Sequence, residues 1–325
     1  MSPALFSVYV DDLLLLLRKS GVGCYVGGVF AGAVGYADEL LLLAPSRDGM
    51  QKMLGICESY AKETNLEFST HPEPEKRKTK CIFMSGYMKI RKPVNLRLYG
   101  VDLPFVKSAN HLGHQLSEDG TMDLDIRTRK ARFIGDTTDV RDLFSFAQPN
   151  QILTAVKTYC CSMHNCMTWP LYSDMARQFY NCWSTCVKLA WDVNRATKTF
   201  LVDNLLAGGY PSMRSSILAC YGRFYQSVRH SPGLEIRTLA CIAAADFRST
   251  TGSNLYNINK EYSIEPREDV AKCKKTILER RVPVPDMDRW RIPCLARYLA
   301  ARYRLHLENR DTGEVDCLIL SLATS

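Results

Sequence analysis

Apolar side chains dominate residues 4–18, interrupted in the middle by the acidic pair Asp11-Asp12. A run of that length with so narrow a polar edge predicts a buried helix, which Gly21 should end. From Val22 the pattern changes to short apolar runs broken by glycine: 24–26, the Gly27-Gly28 turn, 29–30, 34–37 and 40–43. Such runs predict a small system of antiparallel hairpins. Ser46 can then cap a helix in which Met50, Met53, Leu54, Cys57 and Ala61 recur at spacings of three and four, as far as Thr64-Asn65.

A second set of short strands is expected over 66–68, 80–84, 96–99, 101–106 and 111–116, with Pro72 and Pro74 in the loop between the first two. After Asp119-Gly120 the chain reads as helical to its end. Ile126, Phe133 and Val140, joined by Ile134, Leu143 and Phe144, predict a helix whose other face carries Arg127, Arg129, Lys130, Arg132 and Arg141 and which Pro149 stops. Further helices are expected over 151–167, 173–191 and 213–229, whereas the polar residues 249–266 read as irregular. A last amphipathic helix is expected over 294–307. The fold class is therefore α+β, giving way to nearly all helix, with divisions at 1–118, 119–210 and 211–325.

Composition narrows the class. With 325 residues, 46% hydrophobic and 23% charged, the chain is long enough for two domains and too ordinary for collagen-like, low-complexity or coiled-coil proteins. The 13 cysteines are odd in number and follow no secretory leader, so a reduced intracellular setting, nucleus or cytoplasm, is expected. The apolar runs 13–17 and 40–44 fall short of the roughly 20 residues that cross a bilayer, so no membrane partner is expected. Forty-two Lys and Arg against 34 Asp and Glu leave +8, which suits a polyanionic partner without requiring one. Two basic stretches stand out, Lys76 to Lys92 and Lys272 to Arg304.

The string Gly35-Tyr36-Ala37-Asp38-Glu39-Leu40-Leu41 sets an acidic pair on a tight turn between apolar runs. Two carboxylates so close repel unless a cation is near, which makes a divalent-metal site one reading and an ordinary surface turn the other. Asp11-Asp12 has helical surroundings and reads as the polar edge of a packing helix. Cys160, Cys161, His164, Cys166, Cys182 and Cys186 lack the paired spacing of a zinc site, and Trp169, Trp183 and Trp191 read as core.

Four short motifs stand in order along the first 116 residues. They are Ser2-Pro3-Ala4-Leu5-Phe6 with Tyr9 and Asp12-Leu13; the turn between Gly35 and Leu43; Lys78-Thr79-Lys80 leading into Cys81-Ile82-Phe83; and His111-Leu112-Gly113. In that order and spacing they resemble motifs of the reverse transcriptases of non-LTR (LINE-like) retrotransposons. The first resembles the downstream end of the template and nucleotide motif, the second the catalytic aspartate hairpin, the third the lysine motif and the fourth the primer-grip turn.

The resemblance implies a partial palm, then a helical thumb and C-terminal extension, and RNA-templated DNA synthesis by two-metal nucleotidyl transfer with Mg²⁺. It implies Asp38 as a metal ligand and Glu39 in the second catalytic position, with Tyr36 and Ala37 setting the turn beneath the primer end. Ser2 and Pro3 would border the nucleotide, Lys78 or Lys80 would lie near its phosphates, and His111, Leu112 and Gly113 would position the primer. Arg127, Arg129, Lys130, Arg132 and Arg141 would follow the phosphates of an RNA template with its DNA primer, or of an RNA–DNA hybrid.

The chain departs from the family pattern twice. Glu39 replaces the second aspartate and extends its carboxylate by about 1.5 Å, where catalytic groups tolerate about 0.5 Å. The family's first metal-binding aspartate and its fingers belong upstream of Ser2, so the expectation is a chain inactive alone that could pair with that upstream part. A non-catalytic nucleic-acid-binding protein and a decayed transposon remnant are the other two readings.

Overall fold

The computed structural model describes residues 3–322, apart from 72, 74–75, 77, 85–93, 162–163, 208–209, 268, 281, 304 and 311–316. Helix α1 (Pro3–Lys19) is followed by strands β1 (Tyr25–Val26), β2 (Val29–Phe30), β3 (Ala33–Tyr36) and β4 (Glu39–Leu42), then α2 (Arg47–Thr64). Short strands follow: β5 (Cys81–Ile82), β6 (Leu96–Leu98), β7 (Val101–Leu103), β8 (Phe105–Val106), β9 (Ser108–His111) and β10 (His114–Ser117). Next come α3 (Asp123–Leu143), α4 (Pro149–Tyr159), a 3₁₀ turn (His164–Thr168) and α5 (Asp174–Ala190). Helix α6 (Thr199–Leu201) runs into a π-helical turn (Val202–Leu206), and α7 (Met213–Arg229), α8 (Leu234–Ala245), α9 (Thr250–Tyr262) and α10 (Val270–Glu279) succeed it. A 3₁₀ turn (Asp286–Asp288), α11 (Arg291–Tyr303), β11 (Leu305–Arg310) and β12 (Cys317–Leu322) complete the order. The class is α+β. All six sheets among the described residues are two-stranded, five antiparallel and one, β5 with β8, parallel.

The chain divides into two compact units, Met1–Leu124 with Arg229–Ala245, and Asp125–Val228 with Asp246–Ser325. Nothing in the sequence texture marks the return of 229–245 to the first unit. In that unit α2 is the central element. Its Met53, Cys57 and Tyr60 bury against Leu13 and Leu17 of α1 and against Phe30, Leu40 and Leu42 of the strands, while Leu54 packs with Leu96, Leu98 and Leu103. The cap expected at Ser46 is present: its hydroxyl accepts from the Gly49 N–H at 3.1 Å, and Asn65 closes the helix at φ 54°. A cap of this kind contributes about 1 kcal/mol. Gln51 exchanges two hydrogen bonds with the Arg97 backbone, at 2.8 and 2.9 Å, docking the β6–β7 hairpin on the helix. Asp11 and Asp12 are exposed along α1, as a polar edge should be.

The second unit is built around its tryptophans. Trp169, Trp183 and Trp191 are buried, with the Trp169 indole N–H on Asp125 at 2.7 Å and that of Trp191 on the Leu206 carbonyl at 2.6 Å. Helices expected over 173–191 and 213–229 are present as α5 and α7.

Several expectations fail, each for a local reason. Residues 249–266 are not irregular but form α9, capped by Ser249 on the Gly252 N–H at 2.9 Å; its buried face mixes Asn254 with Leu255, Ile258 and Tyr262, so a polar residue hides the period. Pro149 does not stop α3, which ends at Leu143; it opens α4, where its missing N–H is harmless. The segment 66–68 is not a strand. The chain also does not stay helical to its end. The 3.6-residue period stops at Tyr303, and residues 305–310 pair with 317–322 as a hairpin.

Candidate functional site

The site begins as a two-residue turn. Strands β3 and β4 pair Ala33 with Leu42, Val34 with Leu41, Gly35 with Leu40 and Tyr36 with Glu39, which leaves Ala37-Asp38 to reverse the chain. Ala37 takes φ 50°, a left-handed conformation that costs a residue with a Cβ about 1 kcal/mol. A Cβ at Gly35 would lie 3.5 Å from Leu14 and 3.7 Å from Val10, so the hairpin rests on α1. Tyr36, Asp38 and Glu39 are all exposed.

A second turn meets the first. Strands β9 and β10 pair from Ser108 with Ser117 to His111 with His114, and Leu112-Gly113 reverse the chain at φ 48° and 79°. Both values suit a tight hairpin, although the first is unusual for leucine. Glu39 joins the two turns: its Oε2 lies 3.0 Å from His111 Nδ1 and accepts from the Leu112 N–H at 3.3 Å. Two motifs 73 residues apart in sequence are thus brought together through one carboxylate.

The other expected site residues divide. Asp38 makes no hydrogen bond or ion pair among the described residues. Lys78 and Lys80 are exposed on the segment leading into β5, and no contact ties either to the turns among the described residues. Ser2 lies outside the described residues, and Pro3 is the first residue of α1.

In the second unit, the five cations of α3 do not share one face, contrary to the expectation. At 3.6 residues per turn, Arg127 and Arg129 point about 160° apart. Arg127 and Arg132 are exposed while Arg129, Lys130 and Arg141 are half-buried. The helix also carries five aspartates, and two of them take up cations: Arg132 lies 3.6 Å from Asp136 and Arg141 2.8 Å from Asp142. The buried residues are Asp125, Ile126, Phe133 and Thr137; Ile134 and Leu143 face outward.

The implied Mg²⁺ can be tested against these groups. Mg²⁺ demands oxygen ligands in near-octahedral array, usually one or two carboxylates with phosphates and water completing the shell. Here Asp38 is open and Glu39 is committed to His111. Among the described residues no group of three or more His, Cys, Asp and Glu could hold one ion. The arrangement offers a single open ligand and does not fit a two-ion centre.

A polar cluster in the second unit has no signature in the sequence. Arg214 grips Glu261 with both nitrogens, at 2.7 and 2.5 Å; Tyr172 donates to Glu261 at 3.0 Å, and Arg280 reaches its backbone oxygen at 2.9 Å. Burial pushes the Glu261 carboxyl up, but the Arg214 hydrogen bonds and charge outweigh it and hold the group below the usual carboxylate range. These partners come from four separate places in sequence, so no local signal announces them. Asp203 on the π-helical turn is different: burial alone pushes its carboxyl up to about 6.

Compared with known proteins, the chain matches no protein-family model and no curated sequence, which leaves the meeting of the two turns as the observation any functional reading must start from.

Proposed function

We propose that this chain is part of a reverse transcriptase of the non-LTR type, a polymerase family that copies RNA into DNA, and that by itself it holds a primer end without extending it. The observation that carries this reading is the contact of Glu39 with His111 and the Leu112 N–H. The resemblance assigns both turns to one place, the primer terminus, and supports the reading because the two are adjacent. Glu39 orients the His111 ring and fixes the Leu112 backbone. Tyr36 and Leu112, 66% and 41% exposed, offer apolar faces to a terminal base pair. Lys78 and Lys80 would balance phosphate charge. Partners on this reading are an RNA template with a DNA primer, or a hybrid duplex. Mg²⁺ would find Asp38 as the open carboxylate of this chain.

The test is photocrosslinking from the 3′-terminal nucleotide of a DNA primer annealed to RNA. Crosslinks in peptides 33–42 or 108–117 are expected; crosslinks confined to other segments would overturn the reading. In parallel, primer extension with Mg²⁺ or Mn²⁺ should give no product. Robust extension abolished by Asp38→Asn would show the site to be complete after all.

A second reading, a non-catalytic nucleic-acid-binding protein, is favoured by the commitment of Glu39 to His111 in place of a metal. It expects affinity for hybrid duplex that falls steeply with salt and is unchanged by Asp38→Asn.

A further inference from the structure

A cleft of about 570 Å³ opens in the second unit where α5 ends, lined by Arg141, Lys188, Asp192, Asn194 and Arg195 among others. Three of these carry positive charge and one negative. The acid, Asp192, is taken by the guanidinium of Arg302, which also donates to its backbone oxygen at 3.2 Å. Arg195 is exposed and its side chain makes no ion pair among the described residues.

A helix C-terminus ordinarily repels anions, because its last carbonyls are bare. Here they are not. Asp192 adopts φ 46°, which lets its own N–H bond the Leu189 carbonyl at 3.2 Å and the Val193 N–H bond the Lys188 carbonyl at 3.0 Å. Lys188 Nζ in turn donates to the Arg195 carbonyl at 2.8 Å, which pins the ammonium beside the loop and leaves it two further donors. Asn194 folds the loop by accepting from the Ala196 N–H at 2.8 Å. The result is a set of cationic groups around a concavity of ligand size, with Lys188 held by the loop and Arg141 by Asp142, the one lining acid taken by Arg302 and the Val187, Lys188 and Leu189 carbonyls already occupied.

We infer that this cleft is a phosphate site, and that the phosphate it takes is that of a nucleic-acid strand. The choice of a strand over a free nucleotide rests on the nucleic-acid reading above; the cleft itself does not. Guanidinium and ammonium groups meet phosphate oxygens through charge-assisted hydrogen bonds that carry no base specificity, so the site should anchor a backbone whatever its sequence.

The probe is a fluorescein-labelled 20-nucleotide single-stranded RNA, titrated by anisotropy across a salt series. Lys188→Gln with Arg195→Gln should lower the slope of log Kd against log salt by about 1.4, two contacts at about 0.7 each for a single strand. Arg223→Gln with Lys260→Gln, the same charge change on exposed residues outside the cleft, should leave slope and affinity unchanged. Asp142→Asn, which frees Arg141, should tighten binding. Equal losses from both double variants, or no response to Asp142→Asn, would overturn the site. Displacement of the RNA by micromolar AMP or inorganic phosphate would overturn the assignment to a strand. Crosslinking at the two turns in the first unit can fail while these variants still act, so each idea fails by its own readout.

Discussion

At the scale of single residues, two carboxylates of the second unit pull stability in opposite directions with pH. Asp203 sits at about 6, above its unfolded value of 3.8, because burial disfavours its charge. A raised carboxyl stabilises the fold where it is protonated and costs stability as pH rises through its folded value. The shift of roughly two units corresponds to about 3 kcal/mol, discounted to about 1–2 kcal/mol because the group is partly solvated. Asp203→Asn is therefore expected to raise Tm by several degrees at pH 7.5 and to change little at pH 4, as calorimetry would show. Glu261 has the other sign: held below its ordinary value, it stabilises above pH 4.5 and loses that contribution as pH falls. Glu261→Gln leaves Arg214 half-buried without its partner and should cost about 2 kcal/mol at neutral pH, with a flatter acid limb in thermal unfolding. A variant as stable as the parent at pH 7 would show the cluster to be inert.

At the scale of elements, caps and periods decide what could be read in advance. Ser46, Asn65 and the apolar spacings between them made α2 legible almost to the residue, because the helix carries its start and stop signals in its own sequence, and α5, which Ser173 caps, lies within the range expected for it. Helix α9 has the same device in Ser249, yet its buried Asn254 hydrogen-bonds the Leu171 N–H and the Trp169 carbonyl, contacts over 80 residues away that no local pattern reveals. Removing the cap tests whether the signal is real: Ser249→Ala should destabilise by about 1 kcal/mol, measured by denaturant midpoint. Of the two turns of the candidate site, that at 112–113 was marked as a turn only by the resemblance, because its residues read as part of a strand over 111–116, while that at 37–38 was legible from its own residues. Their meeting was not, since it depends on a side chain of one hairpin reaching the backbone of another. The cationic face assigned to α3 failed because a list of arginines says nothing of azimuth.

At the scale of the whole chain, thiol chemistry is set by burial. Cys57, Cys166 and Cys186 are buried, and desolvation pushes each thiol up to about 12, so almost none is thiolate at pH 8. Cys241 and Cys294 are exposed. A disulfide reagent should react quickly at these two and reach the three buried thiols only on unfolding, with peptide mapping to identify the sites; fast modification of Cys186 in the native protein would contradict the packing of α5 on Thr137.

The length of one side chain has a consequence for repair. Glu39 reaches His111 and the Leu112 amide because it is one methylene longer than aspartate, so on the proposed reading the residue that departs from the metal-binding pair is the same one that ties the two hairpins. On that reading Glu39→Asp would supply the Asp-Asp pair of the resembled motif, and it would shorten the tether by about 1.5 Å, letting go of the neighbouring turn. The chain cannot hold both arrangements with one residue. Amide exchange at Leu112 should speed up in that variant, and unchanged protection there would mean the turn stands on its own strands.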